Sequence, residues 1–79
     1  MISSLRGILL DKNLPALTIE VNGVGYELEA SVSTFADLPS QGDTVFLLTH
    51  FVVREDAQQL YGFSTAAERR LFRALIKVN

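Results

Sequence analysis

The sequence of 79 residues contains no cysteine, which excludes a disulfide framework and a thiolate metal site. A core of this size is only marginally stable, so without disulfides we expect support from a partner subunit or a neighbouring domain. A chain without disulfides also suits a reducing cytoplasm, where we expect the protein to act.

Long apolar runs are missing as well. No window approaches the 18 or so consecutive apolar residues that a membrane span needs, and the N-terminus lacks the basic region and apolar run of a signal peptide. We therefore expect a soluble protein without a membrane partner. The formal net charge of -2 argues against strong non-specific nucleic-acid binding, because that affinity comes from Lys and Arg displacing counterions. Any nucleic-acid role then needs locally placed charge or another segment.

Catalysis and cofactor binding find little support in the sequence. His50 is the only histidine and lies inside an apolar stretch, with no second histidine or cysteine to complete a metal site, so we expect a structural role. No serine lies in a nucleophile-elbow pattern. The glycines of "NGVGYE" lack the spacing of a dinucleotide fingerprint or a P-loop. We predict a protein that is not an enzyme and uses neither a cofactor nor a metal.

Alternating apolar and polar residues predict a mainly β fold of five strands. Gly7 inside the first strand predicts a bend or bulge there. Asn22 and Gly23 supply the two positive-φ positions of a type I′ hairpin between the second and third strands. In the fourth run apolar residues occupy both odd and even positions, which indicates a strand buried on both faces or one that passes from the core into an interface. The predicted strands cover residues 2–11, 17–21, 24–30, 44–53 and 57–63.

Two helical segments complete the pattern. Residues 31–39 predict one short helical turn that Pro39 closes. Thr65 and Glu68 then form a T-x-x-E capping box, in which we expect each side chain to satisfy a backbone donor, and an amphipathic helix follows. Its apolar stripe comprises Leu71, Phe72, Leu75 and Ile76. Its basic residues, expected largely off that stripe, are Arg69, Arg70, Arg73 and Lys77.

Five strands with a helix after the third match the OB-fold, a small barrel that commonly binds nucleic acids. We assign residues 1–63 to this barrel and residues 64–79 to a first helix leading into a truncated further domain. Asn79 ends the chain without a helix C-cap, so we expect a fragment of a longer protein. The basic helix face either meets phosphates or is a solvated surface. Tyr26 and Tyr61 either stack on bases or belong to the core.

The stretch "FVVREDA" at residues 51–57 places Arg54, Glu55 and Asp56 at the tip of a predicted hairpin. Charged residues keep a turn solvated, so a simple explanation for both acids exists. The alternative is that two adjacent carboxylates repel a negatively charged ligand.

Four stretches of the chain resemble the N-terminal part of the RuvA family, bacterial Holliday-junction-binding subunits of a branch-migration complex. They read "LRGILLDK", "VNGVGYEL", "THFVVREDAQQLYGF" and "ERRLFRALIKVN". The resemblance covers nearly the whole chain, and residues 49–63 are its most specific part.

This resemblance implies a homotetramer, with an octamer as the alternative, that holds four-way junction DNA open and square-planar for branch migration in recombination and repair. Glu55 and Asp56 fall on the two acids of a pin that points at the crossover, and Arg54 falls on the neighbouring DNA-proximal position. Family members continue into helix-hairpin-helix units that hold phosphates and a C-terminal domain that engages the hexameric RuvB motor, which carries the ATPase. The RuvC resolvase is a further partner of the full-length protein.

The resemblance also implies that this chain lacks most of the DNA-binding surface, so we expect it to bind junctions far more weakly than a full-length protein. Two other functions stay open. One is a generic OB-fold module that binds single-stranded nucleic acid by stacking, and the other is a purely structural assembly module.

Overall fold

Residues 1–77, which the computed structural model describes, form five strands and two helices. The strands are β1 (Ser4–Asn13), β2 (Ala16–Val21), β3 (Val24–Ala30), β4 (Thr44–Arg54) and β5 (Ala57–Phe63), and the helices are α1 (Val32–Ala36) and α2 (Ala66–Ile76). The predicted mainly β fold is confirmed, and β3 and β5 have the predicted bounds. The expected lack of a helix C-cap at Asn79 lies outside the described residues.

The strands close into a barrel in the order β1-β2-β3-β5-β4. The long β1 pairs antiparallel with β2 through its second half and with β4 through its first half. A short parallel contact between β3 and β5, in which Glu29 faces Tyr61 and Ala30 faces Gly62, completes the closure. This is the five-stranded, OB-like barrel that the strand pattern predicts.

The first strand carries an irregularity, but it is not at Gly7. The register with β2 shifts between Leu9 and Asp11, so the irregularity falls at Leu10. Gly7 instead allows a close approach of two strands, because a Cβ at this position would collide with the backbone carbonyl of Glu20. The Asn22-Gly23 turn is as predicted, with φ values of 51° and 86°.

Side chains from all five strands fill the barrel. The fourth strand contributes Val45, Leu47 and Thr49 to the interior, whereas the outward-facing Phe46 is 48% exposed. Burial of β4 on both faces is therefore wrong for residues 1–77, and an interface for its outer face stays a prediction. The core comprises Leu5, Leu9, Leu17, Ile19, Leu28, Val45, Leu47 and Leu60.

The capping box at the start of α2 is only half formed. Thr65 Oγ1 accepts a hydrogen bond from the backbone N–H of Glu68 at 3.1 Å, as predicted. The carboxylate of Glu68 does not return to Thr65 but accepts hydrogen bonds from Thr34 Oγ1, at 2.7 Å, and from the Ser31 hydroxyl. Thr34 is fully buried, and a buried hydroxyl needs a partner. Glu68 therefore joins α2 to α1.

The apolar stripe of α2 contacts the barrel through Phe72, whose ring packs on His50, Tyr61 and Phe63 with centroid distances of 4.7 to 5.6 Å. Leu71, Leu75 and Ile76 are 60%, 62% and 38% exposed, so Phe72 is the only stripe residue within residues 1–77 that is not exposed. The assignment of residues 64–79 to a further domain stays a prediction. No helix in the described part of the chain is long and apolar enough to cross a membrane.

Candidate nucleic-acid interface

The hairpin between β4 and β5 turns at Glu55 and Asp56. Its register pairs Arg54 with Ala57 and Val53 with Gln58, which leaves Glu55 and Asp56 as the two turn residues. Neither has a positive φ, since Asn22 is the only non-glycine residue among positions 1–77 with one. The turn thus differs from the type I′ turn at Asn22-Gly23 and does not require glycine. Glu55 and Asp56 therefore fit this turn without backbone strain.

This hairpin extends past the packed interior of the barrel. The inward-facing series along β4 runs from fully buried Thr49 through half-buried Phe51 to Val53, which is 61% exposed. The core therefore ends near Phe51, and the last two residue pairs of the hairpin lie beyond it. Glu55 and Asp56 are both exposed. The carboxylates that accept side-chain hydrogen bonds within residues 1–77 belong to Asp37 and Glu68, not to this pair.

The outer face of the hairpin carries a shallow cavity of about 240 Å³ that we name the hairpin groove. It is lined by Val52, Arg54, Ala57, Gln59 and Tyr61. Arg54 is exposed and lies next to the acidic turn, so the structure brings the three sequence-predicted site residues together. Their contact with DNA stays a prediction.

The basic residues of α2 do not form one solvated face. Arg69 Nη1 donates hydrogen bonds to the backbone carbonyls of Ser3, at 2.9 Å, and Thr49, at 3.4 Å. Arg73 Nε donates to Nδ1 of His50 at 3.1 Å. The interpretation of the basic face as a solvated surface is therefore wrong for these two arginines, which tie the helix to the barrel. Arg70 and Lys77 are exposed.

His50 on β4 is half-buried and contacts Phe72 and Arg73 of α2, as a structural histidine would. Burial lowers the pKa of His50 below its ordinary value, and the nearby Arg73 and Arg69 guanidinium groups lower it further. The neutral ring accepts the hydrogen bond from Arg73 at Nδ1. No group of three or more potential metal-ligating side chains occurs within residues 1–77.

The two tyrosines have different surroundings. Tyr26 is half-buried and packs against the core. Tyr61 is also half-buried, but its ring lies against Phe72 at 4.7 Å and lines the hairpin groove. Tyr61 therefore combines a packing role with an open side toward the hairpin, which neither of the two simple expectations anticipated.

The sequence analysis did not predict the contacts between α2 and the barrel, although the sequence contains a signal for them. Arg69 and Arg73 are four residues apart and therefore share a helix face, and Phe72 lies three residues after Arg69 on the same side. An amphipathic face that mixes one aromatic ring with two arginines is compatible with packing, because Arg buries its aliphatic stem while its guanidinium reaches polar atoms.

Comparison with known proteins identifies what this hairpin-bearing barrel resembles. The family model "RuvA N terminal domain" matches residues 1–62. Proteins named Holliday junction branch migration complex subunit RuvA are similar over all 79 residues: 60% identical in Vibrio vulnificus (strain YJ016), where the chain covers 39% of the relative, and 57% identical in Acidovorax sp. (strain JS42), where it covers 42%. A third, from Nitrosococcus oceani, is 60% identical with 40% of its length covered. The chain thus spans about two fifths of the length of these relatives.

Proposed function

Because the chain belongs to the RuvA N-terminal domain family, we propose that it is the barrel domain of a Holliday-junction-binding subunit whose hairpin presents Glu55 and Asp56 to the crossover. The observation that carries this proposal is the position of the two acids. They lie at the end of a hairpin that projects beyond the core, and both are exposed. Such carboxylates are available to act on an external charge.

The physical action of this pin is repulsion of DNA phosphates. A carboxylate about 10 Å from a phosphate is repelled by roughly 0.4 kcal/mol in water and about 1.7 kcal/mol at an effective dielectric constant of 20. A single pair is weak, and salt screens it because the distance is close to the Debye length. Summed over several carboxylates and phosphates, the repulsion reaches several kcal/mol, which is comparable with unstacking one base-pair step.

The proposal includes a tetramer, because four subunits would place eight carboxylates around one crossover. Uncovered apolar side chains support association of this domain with further protein surface. Phe46 on β4 is 48% exposed and its ring lies 5.0 Å from the Arg6 guanidinium, and Leu71 and Leu75 on α2 are 60% and 62% exposed. These surfaces are available to other copies of the chain and to the additional length that the relatives have.

In this proposal the chain itself does no chemistry. Glu55, Asp56 and Arg54 separate and position strands, while a RuvB-type motor supplies ATP hydrolysis and RuvC-type resolvase action follows on the assembled complex. The name of the relatives, subunit of a branch migration complex, supports the assignment of the energy-consuming step to another subunit.

The experiment that tests the proposal is equilibrium binding of a four-way junction by the full-length protein. The substitution Glu55→Gln with Asp56→Asn removes two negative charges from the pin. The control Asp11→Asn with Glu27→Gln removes the same charges from exposed positions on β1 and β3. The pin variant should bind the junction more tightly than the unsubstituted protein at low salt, with the difference shrinking as salt rises.

The control separates a local effect from a change in net charge. It should leave junction affinity close to that of the unsubstituted protein, because Asp11 and Glu27 lie on β1 and β3 and not on the β4–β5 hairpin. Equal affinities for the pin variant, the control and the unsubstituted protein at every salt concentration would contradict the proposed pin and favour an assembly module with a solvated turn.

A further inference from the structure

The outer face of the β4–β5 hairpin carries more than the two acids at its tip. Outward-facing side chains alternate along both strands, about 7 Å apart in each strand. The pairs run inward from the tip as Arg54 with Ala57, Val52 with Gln59, and His50 with Tyr61. This places a cation, an apolar side chain, an amide and an aromatic ring in one row that begins immediately behind the acidic turn.

Tyr61 is held firmly at the inner end of this row. Its ring contacts Phe72 of α2 at 4.7 Å, and Phe72 also packs on Phe63 at 5.3 Å. The same tyrosine lines both the hairpin groove and a second groove, which Leu71, Phe72 and Leu75 of α2 help to line. An aromatic ring fixed on one side and open on the other is a ready stacking surface for a nucleobase.

The remaining lining residues supply polar contacts of the right kind. Arg54 is exposed and offers a planar guanidinium that suits a phosphate. The Nε2 of Gln59 donates to the backbone carbonyl of Leu60 at 3.1 Å, and Gln59 lines the groove with an amide whose Oε1 can accept a hydrogen bond. Val52 adds apolar surface at the floor.

We infer that the hairpin groove binds one unpaired deoxynucleotide, with its base against Tyr61 and Val52 and its phosphate on Arg54. The groove, at about 240 Å³, is smaller than sites for drug-sized molecules, which start near 300 Å³, and so suits a single base. The inference deepens the proposed function: the acids repel the duplex backbones at the crossover, and the groove receives a base that has left its stack.

The inference is tested on the chain itself by following backbone amide chemical shifts during titration with a thymidine trinucleotide at low salt. The trinucleotide should shift the amides of the groove residues, and thymidine alone should shift those near Tyr61. Inorganic phosphate alone should perturb only the surroundings of Arg54. These two small probes separate recognition of the base from recognition of the phosphate.

Matched variants make the test specific. Arg54→Gln should weaken trinucleotide binding about five- to tenfold, whereas Arg70→Gln, which removes the same charge from an exposed position on α2, should leave it unchanged. Tyr61→Leu should weaken binding roughly tenfold, and Tyr61→Phe, which keeps the ring, should retain it. Unchanged circular dichroism of each variant verifies that the barrel is intact.

Two results would overturn the inference. One is the absence of groove shifts with the trinucleotide, and the other is equal weakening by Arg54→Gln and Arg70→Gln, which would indicate general charge attraction. A different result would contradict the proposed function and leave the inference intact. In that result the pin variant binds four-way junctions like the unsubstituted protein while the trinucleotide still occupies the groove. The groove would then bind single strands in a protein whose two acids do not act as a pin.

Discussion

Arg73 on α2 donates a hydrogen bond from Nε to Nδ1 of His50 on β4 at 3.1 Å. This bond requires a histidine that is unprotonated at Nδ1, and it joins the final helix to the strand that leads to the acidic hairpin. The fit between helix and barrel is therefore coupled to the protonation of the only histidine in the sequence.

Stability should depend on pH through His50. Burial, Arg73 and Arg69 lower its folded-state pKa below 6.5, so the unfolded chain binds a proton at higher pH than the folded chain does. The stabilisation is complete above the unfolded pKa and is lost as pH falls from about 6.5 through the lowered folded value. Thermal unfolding between pH 7.5 and 5 should show a falling midpoint, checked by differential scanning calorimetry.

His50→Gln is the matched variant for this pH effect, because its amide oxygen can still accept the hydrogen bond from Arg73 while it cannot titrate. Its unfolding midpoint should vary less over the same pH range. A variant curve parallel to that of the unsubstituted chain would show that other groups cause the dependence.

Phe72 should contribute the largest share of helix docking. Phe72→Ala removes the ring that packs on His50, Tyr61 and Phe63, and should cost about 2 kcal/mol, less than the 3–5 kcal/mol of a fully buried Phe because Phe72 is half-buried. Leu75→Ala, at a position 62% exposed, should change the free energy of unfolding by less than about 0.5 kcal/mol. Urea denaturation compares the two, and similar losses would contradict docking through Phe72.

The buried hydroxyl of Thr34 should be needed where α1, β5 and α2 meet. It donates to Glu68 Oε1 at 2.7 Å and accepts from the backbone N–H of Ser64 at 3.1 Å. Thr34→Val keeps the shape but leaves both partners unsatisfied, which should cost about 1–3 kcal/mol. Thr44→Val, at an exposed end of β4, is the control for denaturant unfolding. If both substitutions are neutral, the polar cluster does not hold the helices.

The length of the chain should limit its DNA affinity. The relatives are about two and a half times as long, and the net charge of -2 gives this part little electrostatic attraction for phosphates. A gel-shift titration at low salt should show far weaker junction binding by the 79-residue chain than by the full-length protein. Equal affinities would locate the main DNA-binding surface within the barrel and overturn this expectation.

The strands and the acidic turn were predictable because they depend on local patterns. Alternating apolar and polar residues predict β3 and β5. The Asn22-Gly23 pair predicts its turn because these two residues adopt a positive φ without support from distant residues. The placement of Arg54, Glu55 and Asp56 at a hairpin tip follows from the same patterns. These features need no information about distant parts of the chain.

The contacts between elements were not predictable in this way. Glu68 leaves its expected capping partner because the buried hydroxyl of Thr34, 34 positions earlier, donates a hydrogen bond to its carboxylate at 2.7 Å. Arg69 and Arg73 turn inward because the barrel offers backbone carbonyls and His50 at their positions. The hairpin groove likewise depends on Phe72 fixing Tyr61, and no local pattern specifies which helix residue meets which strand.

The most direct test of the pin measures whether bases at the crossover are unstacked in the complex. A four-way junction carries 2-aminopurine at the crossover, where its fluorescence rises when the base leaves the stack. The full-length protein and its Asp11→Asn, Glu27→Gln control should both raise the fluorescence at saturation, and the Glu55→Gln, Asp56→Asn variant should raise it much less while remaining bound. Equal fluorescence for all three saturated complexes would contradict strand separation by the two acids.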